Sequence, residues 1–297
     1  MVKIRNALGL FDGISCGQVA LQRAGVTYDT YYASEIDKNP VKIAQKNFPD
    51  TVQLGDITKW RDWNLENVDL IIGGSPCQGF SAAGKRLNFD DPRSRLFFEF
   101  LEIVRHYKPK YWMLENVVMQ DHIRDAISAE LGVEPVFINS NLLSAQNRKR
   151  YYWTNIPDVA PPKDAKILLE SILEDDTFSH AANIVGRRLD SSGVRKDYDK
   201  SVPITQCLQV RKDSTKMPCL TTVSKDAVVS RLPHGRYRDA YESPVKDDWR
   251  DLTIVECERL QTLPDGYTEG IAETQRRRAI GNGWTVDVIA HIFRNIR

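Results

Sequence analysis

A chain of 297 residues, 41% hydrophobic and 27% charged, is long enough to bury one full α/β core with a smaller unit beside it. Its net charge of +1 neither supports nor excludes a nucleic-acid partner, because a basic cleft can coexist with acidic outer faces. No apolar run approaches the roughly 18 residues of a membrane span, and the opening MVKIRNALGLFDG lacks the plan of a leader, so a cytoplasmic protein with no membrane partner is expected.

In chain order, short β-branched or aromatic runs alternate with helical patterns, as in βαβ units on a parallel sheet. Residues 7–11, 30–33, 70–72, 111–114 and 136–138 read as strands. Helices are expected over 17–24 and 38–47, and where Leu96, Phe100, Ile103, Val104 and Tyr107 recur at helical spacing. The expected fold class is a doubly wound, mostly parallel α/β sheet that binds ligands at the carboxyl ends of its strands. After PDVAPPKDAK the composition shifts to Lys, Arg, Ser and Asp with weak periodicity, which suggests a small irregular domain over 159–251 with strand fragments at 204–210 and 219–223. Residues 1–158 then form the first domain. Residues 252–297, with a helix in TIVECERLQ and another opening near Trp284, return to it.

Phe11-Asp12-Gly13-Ile14-Ser15-Cys16-Gly17 lies where a strand turns into a helix, so backbone there can approach a ligand at a helix N-terminus; a plain tight turn has the same composition. Glu35, 18 residues beyond Gly17, ends the next strand and is placed to bind both ribose hydroxyls of an adenosine-containing ligand. Asp56 suits an adenine amino group, with Ile36 and Ile57 as apolar walls, and equally suits an Asx turn or helix cap. The loop Gly73-Gly74-Ser75-Pro76-Cys77-Gln78-Gly79-Phe80-Ser81 presents Cys77 between Pro and Gln rather than inside an apolar run, the setting of a thiolate nucleophile. Glu115 ends a strand at the same sheet edge, where a carboxylate can share a proton or make an ordinary salt bridge. Arg148 and Arg150 share one face of the next strand, which fits a carbonyl or phosphate oxygen, or a solvated charged edge. The five cysteines have no C-x-x-C spacing and the five histidines form no ligand pair, so no metal site is expected.

In this order the segments resemble the DNA cytosine-C5 methyltransferases over nearly the whole chain. Phe11-Asp12-Gly13, Ser34-Glu35 and Gly55-Asp56 are similar to the family's three cofactor motifs, and Ser75-Pro76-Cys77-Gln78 to its catalytic P-C-Q motif. Glu115-Asn116-Val117 resembles the E-N-V motif and Gln146-x-Arg148-x-Arg150 the Q-x-R-x-R motif. Two more resemblances lie in the tail, at Glu256-x-x-Arg259-Leu260-Gln261 and Gly281-Asn282-Gly283-Trp284-Thr285-Val286. Details around Arg95, Arg150 and Trp284 look most like the catalytic domain of the animal de novo enzymes. Gln78, Asn282 in place of an arginine, and the absence of regulatory domains instead resemble stand-alone bacterial or phage enzymes.

The resemblance implies a Rossmann-like domain that binds S-adenosylmethionine and releases S-adenosylhomocysteine. Its cofactor site would draw on Phe11, Asp12, Gly13, Ile14, Cys16, Glu35, Ile36, Asp56, Ile57, Gly74, Leu96, Asn282 and Trp284. It also implies a double-stranded DNA partner whose cytosine is flipped out. Cys77 would add to C6, Glu115 would bond N3 and the exocyclic amine, and Arg150 with Arg148 would hold O2. Gln78, Ser81, Arg211, Thr221, Thr222, Arg231 and Arg236 are expected at the DNA, although exposed arginines also occur with no such role. A monomer near the nucleoid of a bacterial or phage-infected cell follows. The rivals are the tRNA-modifying branch, whose Cys-Phe-Thr motif is missing here, an inactive DNA-binding homologue, and transfer of a group other than methyl.

Overall fold

A computed structural model describes residues 2–75, 95–192, 194–221, 226–233 and 246–297. A short parallel ribbon pairs β1 (Val2–Lys3) with β3 (Val26–Thr27). The main sheet contains β2 (Asn6–Leu10), β4 (Thr30–Ser34), β5 (Val52–Gln53), β6 (Val68–Gly73), β7 (Tyr111–Val117), β8 (Val136–Asn139) and β9 (Lys149–Thr154). Their order is β5-β4-β2-β6-β7-β9-β8. Every pairing is parallel except those of β9, which runs antiparallel to both β7 and β8. The order reverses between β2 and β6, and at such a switch point the strand ends leave a crevice for ligand.

The strands sort their side chains by alternation. Ala7, Leu70 and Ile72 face one core, with Val19 and Leu21 of α1 (Cys16–Ala24) and, near the C-terminus, Ile289 and Phe293 of α7 (Val286–Phe293). Leu8, Leu10 and Ile71 face the other, with Phe97, Phe100 and Ile103 of α3 (Arg95–Tyr107) and Ile127 of α4 (Asp121–Leu131). Each such Leu or Phe contributes about 1.5–3 kcal/mol on burial, which makes the three-layer stack the rigid frame for the loops at its edge. The helix α2 (Lys38–Asn47) starts at Asp37, whose carboxylate accepts from Asn39 N at 3.0 Å. It spans the residues expected from sequence. The strand β7 runs past the expected end at 114, because its pairing with β9 continues from Glu115↔Tyr152 to Val117↔Arg150. Glu115 therefore sits within a strand, held at fixed height.

The expected irregular region contains a four-stranded antiparallel sheet of β10 (His180–Arg188), β11 (Ile204–Val210), β12 (Val228–Ser230) and β13 (Trp249–Asp251), ordered β11-β10-β12-β13. The fragment expected at 204–210 is β11. The one expected at 219–223 is not a strand over its described part, since Leu220 N donates to the Gln146 side chain at 2.8 Å. The chain closes with α5 (Ile254–Leu260), α6 (Glu273–Asn282) and α7. A third cluster joins Met217, Leu220 and Val229 of the middle region to Leu252, Cys257, Leu260 and Ile280 of the tail. No helix among the described residues is long and apolar enough to cross a membrane.

Candidate active site

The loop between β2 and α1 has three left-handed residues, Phe11 (φ 55), Gly13 (φ 56) and Ser15 (φ 58). For the two that carry side chains this geometry costs about 1–3 kcal/mol each and persists only where neighbours enforce it. Asp12 does so from within, accepting hydrogen bonds from Ser15 Oγ and, at 2.6 Å, from Tyr31 OH. Glu35, just past β4, accepts from Gly13 N at 3.0 Å through one oxygen and from Ile36 N and Asp37 N, both at 2.8 Å, through the other. Burial pushes the Asp12 carboxyl up to about 6, against the pull of the Ser15 and Tyr31 hydroxyls and with a further push from Glu35. Tyr31 was not anticipated from sequence. Its hydroxyl and Asp12 Oδ1 together leave no room for a side chain at position 9, since a Cβ on Gly9 would stand 2.3 Å from each.

Other expected cofactor residues are placed unevenly. Ile36 stands 74% exposed, an apolar wall in search of a cover, while Ile57 is turned into the core at 5% and offers no such wall. Asp56 adopts the alternative reading, a cap: its Oδ1 accepts from Thr58 N and Thr58 Oγ1, both at 2.9 Å, and these bonds hold its carboxyl below the usual range. Cys16 is buried, which pushes its thiol up to about 12, so only its backbone can face a ligand. Leu96 is half-buried and Asn282 exposed.

The reactive edge is assembled from four segments. Glu115 is 8% exposed, and Arg150 Nε approaches its Oε1 at 2.7 Å while Trp284 Nε1 donates to its Oε2 at 3.3 Å. Gly74 lies against both, since a Cβ there would come within 2.9 Å of Glu115 Oε2 and 3.0 Å of Trp284 Nε1. Burial opposes the charge of Arg150, and the Glu115 carboxylate, Cys219 and Tyr152 together outweigh it, so its value is raised. Next to Glu115, Asn116 donates to Ser75 O and Ser75 Oγ, both at 3.2 Å, which ties the end of β6 to β7. Ser75 is two residues before Cys77. Cys77, Gln78, Ser81, Thr222 and Arg236 lie outside the described residues.

Arg148 differs from the expectation that it faces a substrate carbonyl. It precedes β9, is 4% exposed, and gives Nη2 to Gly283 O (2.9 Å) and Nη1 to Gly281 O (3.2 Å) and Leu220 O (3.4 Å). Both of its terminal nitrogens donate to the backbone of the tail or the middle region. Two glutamines reinforce this latch: Gln146 Nε2 donates to Leu260 O at 3.1 Å, and Gln261 Nε2 to Ile280 O at 2.9 Å. Both stand in the motifs read from sequence, but only their buried contacts reveal the role. Of the expected DNA contacts, Arg211 is exposed, Arg231 is paired with Asp248 at 2.8 Å, and Thr221 Oγ1 donates to Asp226 at 2.6 Å. Cys219, which carried no signal in the sequence, has its sulfur 3.4 Å from Arg148 Nη1 and 4.0 Å from Arg150 Nη2. No group of three or more potential metal ligands occurs among the described residues.

A profile of C-5 cytosine-specific DNA methylases matches residues 6–297. The chain belongs to that family. The type II methyltransferase M1.ScrFI of Lactococcus lactis subsp. cremoris is 30% identical over 277 residues, covering 87% of this chain and 69% of the relative. The orphan methyltransferase M.SPRI of Bacillus phage SPR is 36% identical over 165 residues, 51% of this chain and 37% of the phage protein. This cytosine-methylase chain thus spans well under half of the phage relative's length in that match. Among solved structures, the S. pombe Dnmt2 methyltransferase shares the fold, with a TM-score of 0.69 at 20% identity over 97% of both chains.

Proposed function

We propose that the protein methylates C5 of a cytosine flipped out of duplex DNA, with S-adenosylmethionine as donor and Cys77 as nucleophile. The observation that carries this reading is a buried carboxylate, Glu115, with a donor on each oxygen, at the switch-point edge where Ser75 leads into Cys77. The β2–α1 loop fits the cofactor. A carboxylate has about four acceptor sites, and Glu35 uses three on backbone N–H groups, so it can take a ribose hydroxyl without releasing the loop. Exposed Ile36 supplies an apolar surface for a purine, and Trp284 borders the first turn of α1 that follows this loop, with its Cζ3 3.6 Å from where a Cβ on Gly17 would stand. When bound, S-adenosylmethionine supplies an electrophilic methyl on its sulfonium.

Flipping the base costs a few kcal/mol of unstacking and exposes C6 to the Cys77 thiolate. Addition at C6 breaks the C5–C6 π bond and sends its electron pair into the ring, where a proton held between Glu115 and N3 balances the charge; Glu115 also accepts from the exocyclic amino group, and C5 becomes nucleophilic. Arg150 commits Nε to Glu115 and Nη1 to Lys149 O, which leaves donors among its five N–H groups for the cytosine O2. Once C5 carries the methyl, loss of the C5 proton and expulsion of the Cys77 thiolate restore the double bond. Fixed donors of this kind are worth several kcal/mol when preorganised.

Expression in a methylation-free host followed by methylation sequencing should reveal 5-methylcytosine at one sequence. DNA carrying 5-fluorocytosine should trap the native protein covalently and leave Cys77→Ala untrapped; identical behaviour of the two sinks the nucleophile, and label transferred only to tRNA sinks the DNA substrate. Glu115→Gln should lower turnover by about 100-fold or more.

A further inference from the structure

The Trp284 indole lies between the first turn of α1 and the segment that follows β6. Gly17 borders its Cζ3 edge and Gly74 its Nε1 edge, and a Cβ at either glycine would touch the ring, at 3.6 and 3.0 Å. The backbone around it is pinned on both sides. Gly281 O and Gly283 O receive Arg148, Gly283 O also receives Gln261 Nε2 at 3.2 Å, and Val286 N donates to Gln261 O at 3.0 Å. Thr285 Oγ1 donates to Gln261 Oε1 at 2.8 Å. With the main chain fixed, the indole N–H is delivered to Glu115 Oε2. Its 3.3 Å separation is just beyond the usual range for an N–H···O bond.

We propose that Trp284 is a positioning residue for Glu115, and that Arg148 acts on the reaction through Trp284 by holding the turn that carries it. This rests on reading Glu115 as the carboxylate that holds the base. The terminal torsion of a glutamate is broad and roughly two-fold, so Arg150 on one oxygen leaves the other free to swing. A second donor on Oε2 closes that freedom and sets the carboxylate plane. Indole nitrogen only donates, so Trp284 cannot relay a proton and works by orientation alone. The ring also borders the first turn of α1, just past the β2–α1 loop, so one rigid group spaces the methyl-donor side from the base side.

The test is Trp284→Phe, which keeps a flat ring and removes the donor. Methylation of genomic DNA from a methylation-free host is measured with labelled S-adenosylmethionine. The expected result is a kcat about tenfold lower with the KM for S-adenosylmethionine within about threefold of native. Arg148→Lys should show the same split. A Trp284→Phe enzyme with native kcat and a raised cofactor KM overturns the proposal, because the ring would then be only a wall of the cofactor site. In a Glu115→Gln background Trp284→Phe should add little, and full additivity would also overturn it. Native activity in Glu115→Gln itself overturns the underlying reading of Glu115, a separate failure. Should Trp284→Phe melt below the assay temperature, Gly74→Ala serves instead, since its methyl intrudes between Oε2 and Nε1: reduced kcat at constant cofactor KM supports the proposal and unchanged kcat overturns it.

Discussion

Asp12 shows how one buried group can make a loop sensitive to pH. Its carboxyl is raised from 3.8 to about 6, chiefly by burial, with the neighbouring Glu35 charge adding to the shift. The groups around it are the Ser15 and Tyr31 hydroxyls, Glu35, Cys16 and the phenols of Tyr28 and Tyr267. None brings a cation to it. Between these two pH values the folded chain keeps a proton that the unfolded chain has released, so stability falls as pH rises through the window. Above about 6 the ionised carboxylate imposes a constant cost. Asp12→Asn cannot titrate, so the melting temperature of the variant relative to native should improve between pH 4.5 and 7.5. A difference that stays flat across that range contradicts the assignment. The sequence marks Asp12 through its place beside Gly13, but the raised value arises from burial, which follows only from laying β4 beside β2, and the Tyr31 hydroxyl pulls against it.

Among the elements, the coupling of β6 to β7 fixes Ser75, the last described residue before Cys77. Asn116 is 2% exposed, and its side-chain amide donates to both Ser75 O and Ser75 Oγ. Asn116→Ala leaves a buried carbonyl short of a partner, at about 1–3 kcal/mol. It should slow covalent capture of 5-fluorocytosine DNA at least as much as it lowers the melting temperature would suggest; capture at the native rate would show that Ser75 needs no tether. The elements that frame this site were legible from the sequence for a physical reason. Strands buried on both faces are nearly continuous apolar runs, so β2, β4, β6 and β7 stand out, and Lys38–Asn47 opens on a capping Asp. The four-stranded sheet of the middle region was read only at β11, since β10 and β12 have neither clean alternation nor a sustained apolar run. Helix α6, ETQRRRAIGN, escaped because few of its residues are apolar and its interior contacts come from Ala279 and Ile280 alone among its apolar side chains. Arg148 was misjudged for a different reason: alternation gives the side of a strand, whereas its partners at Gly281 and Gly283 belong to a tail more than 130 residues away.

At the scale of the whole molecule, the middle sheet has to hold a fixed position relative to the reactive edge if it is to present DNA to it. A buried ion pair secures that position. Arg250 on β13 meets Glu256 on α5 with both guanidinium nitrogens Nη1 and Nη2 at 2.8 Å, and Glu256 is fully buried. The same carboxylate accepts from Thr253 N and Glu174 N, closing the capping box of α5 and fastening a middle-region loop to it. Burial pushes the Glu256 carboxyl up, and the bonds from Arg250, Glu174 and Thr253 outweigh it, so its value lies below the ordinary 4.5. The stabilisation is therefore complete above about pH 4.5 and is lost as pH falls through the depressed value. Removing one partner of a buried pair leaves the other charge uncompensated, at about 3–5 kcal/mol. Glu256→Gln should accordingly lower the urea midpoint at pH 7 and lose less further stability on acidification than the native chain does. Because Glu256 is remote from the β2–α1 loop in the chain and acts through the middle sheet, the KM for DNA should rise while the affinity for S-adenosylmethionine holds. Equal weakening of both would mean that the pair supports the main sheet as a whole rather than the placement of the middle sheet.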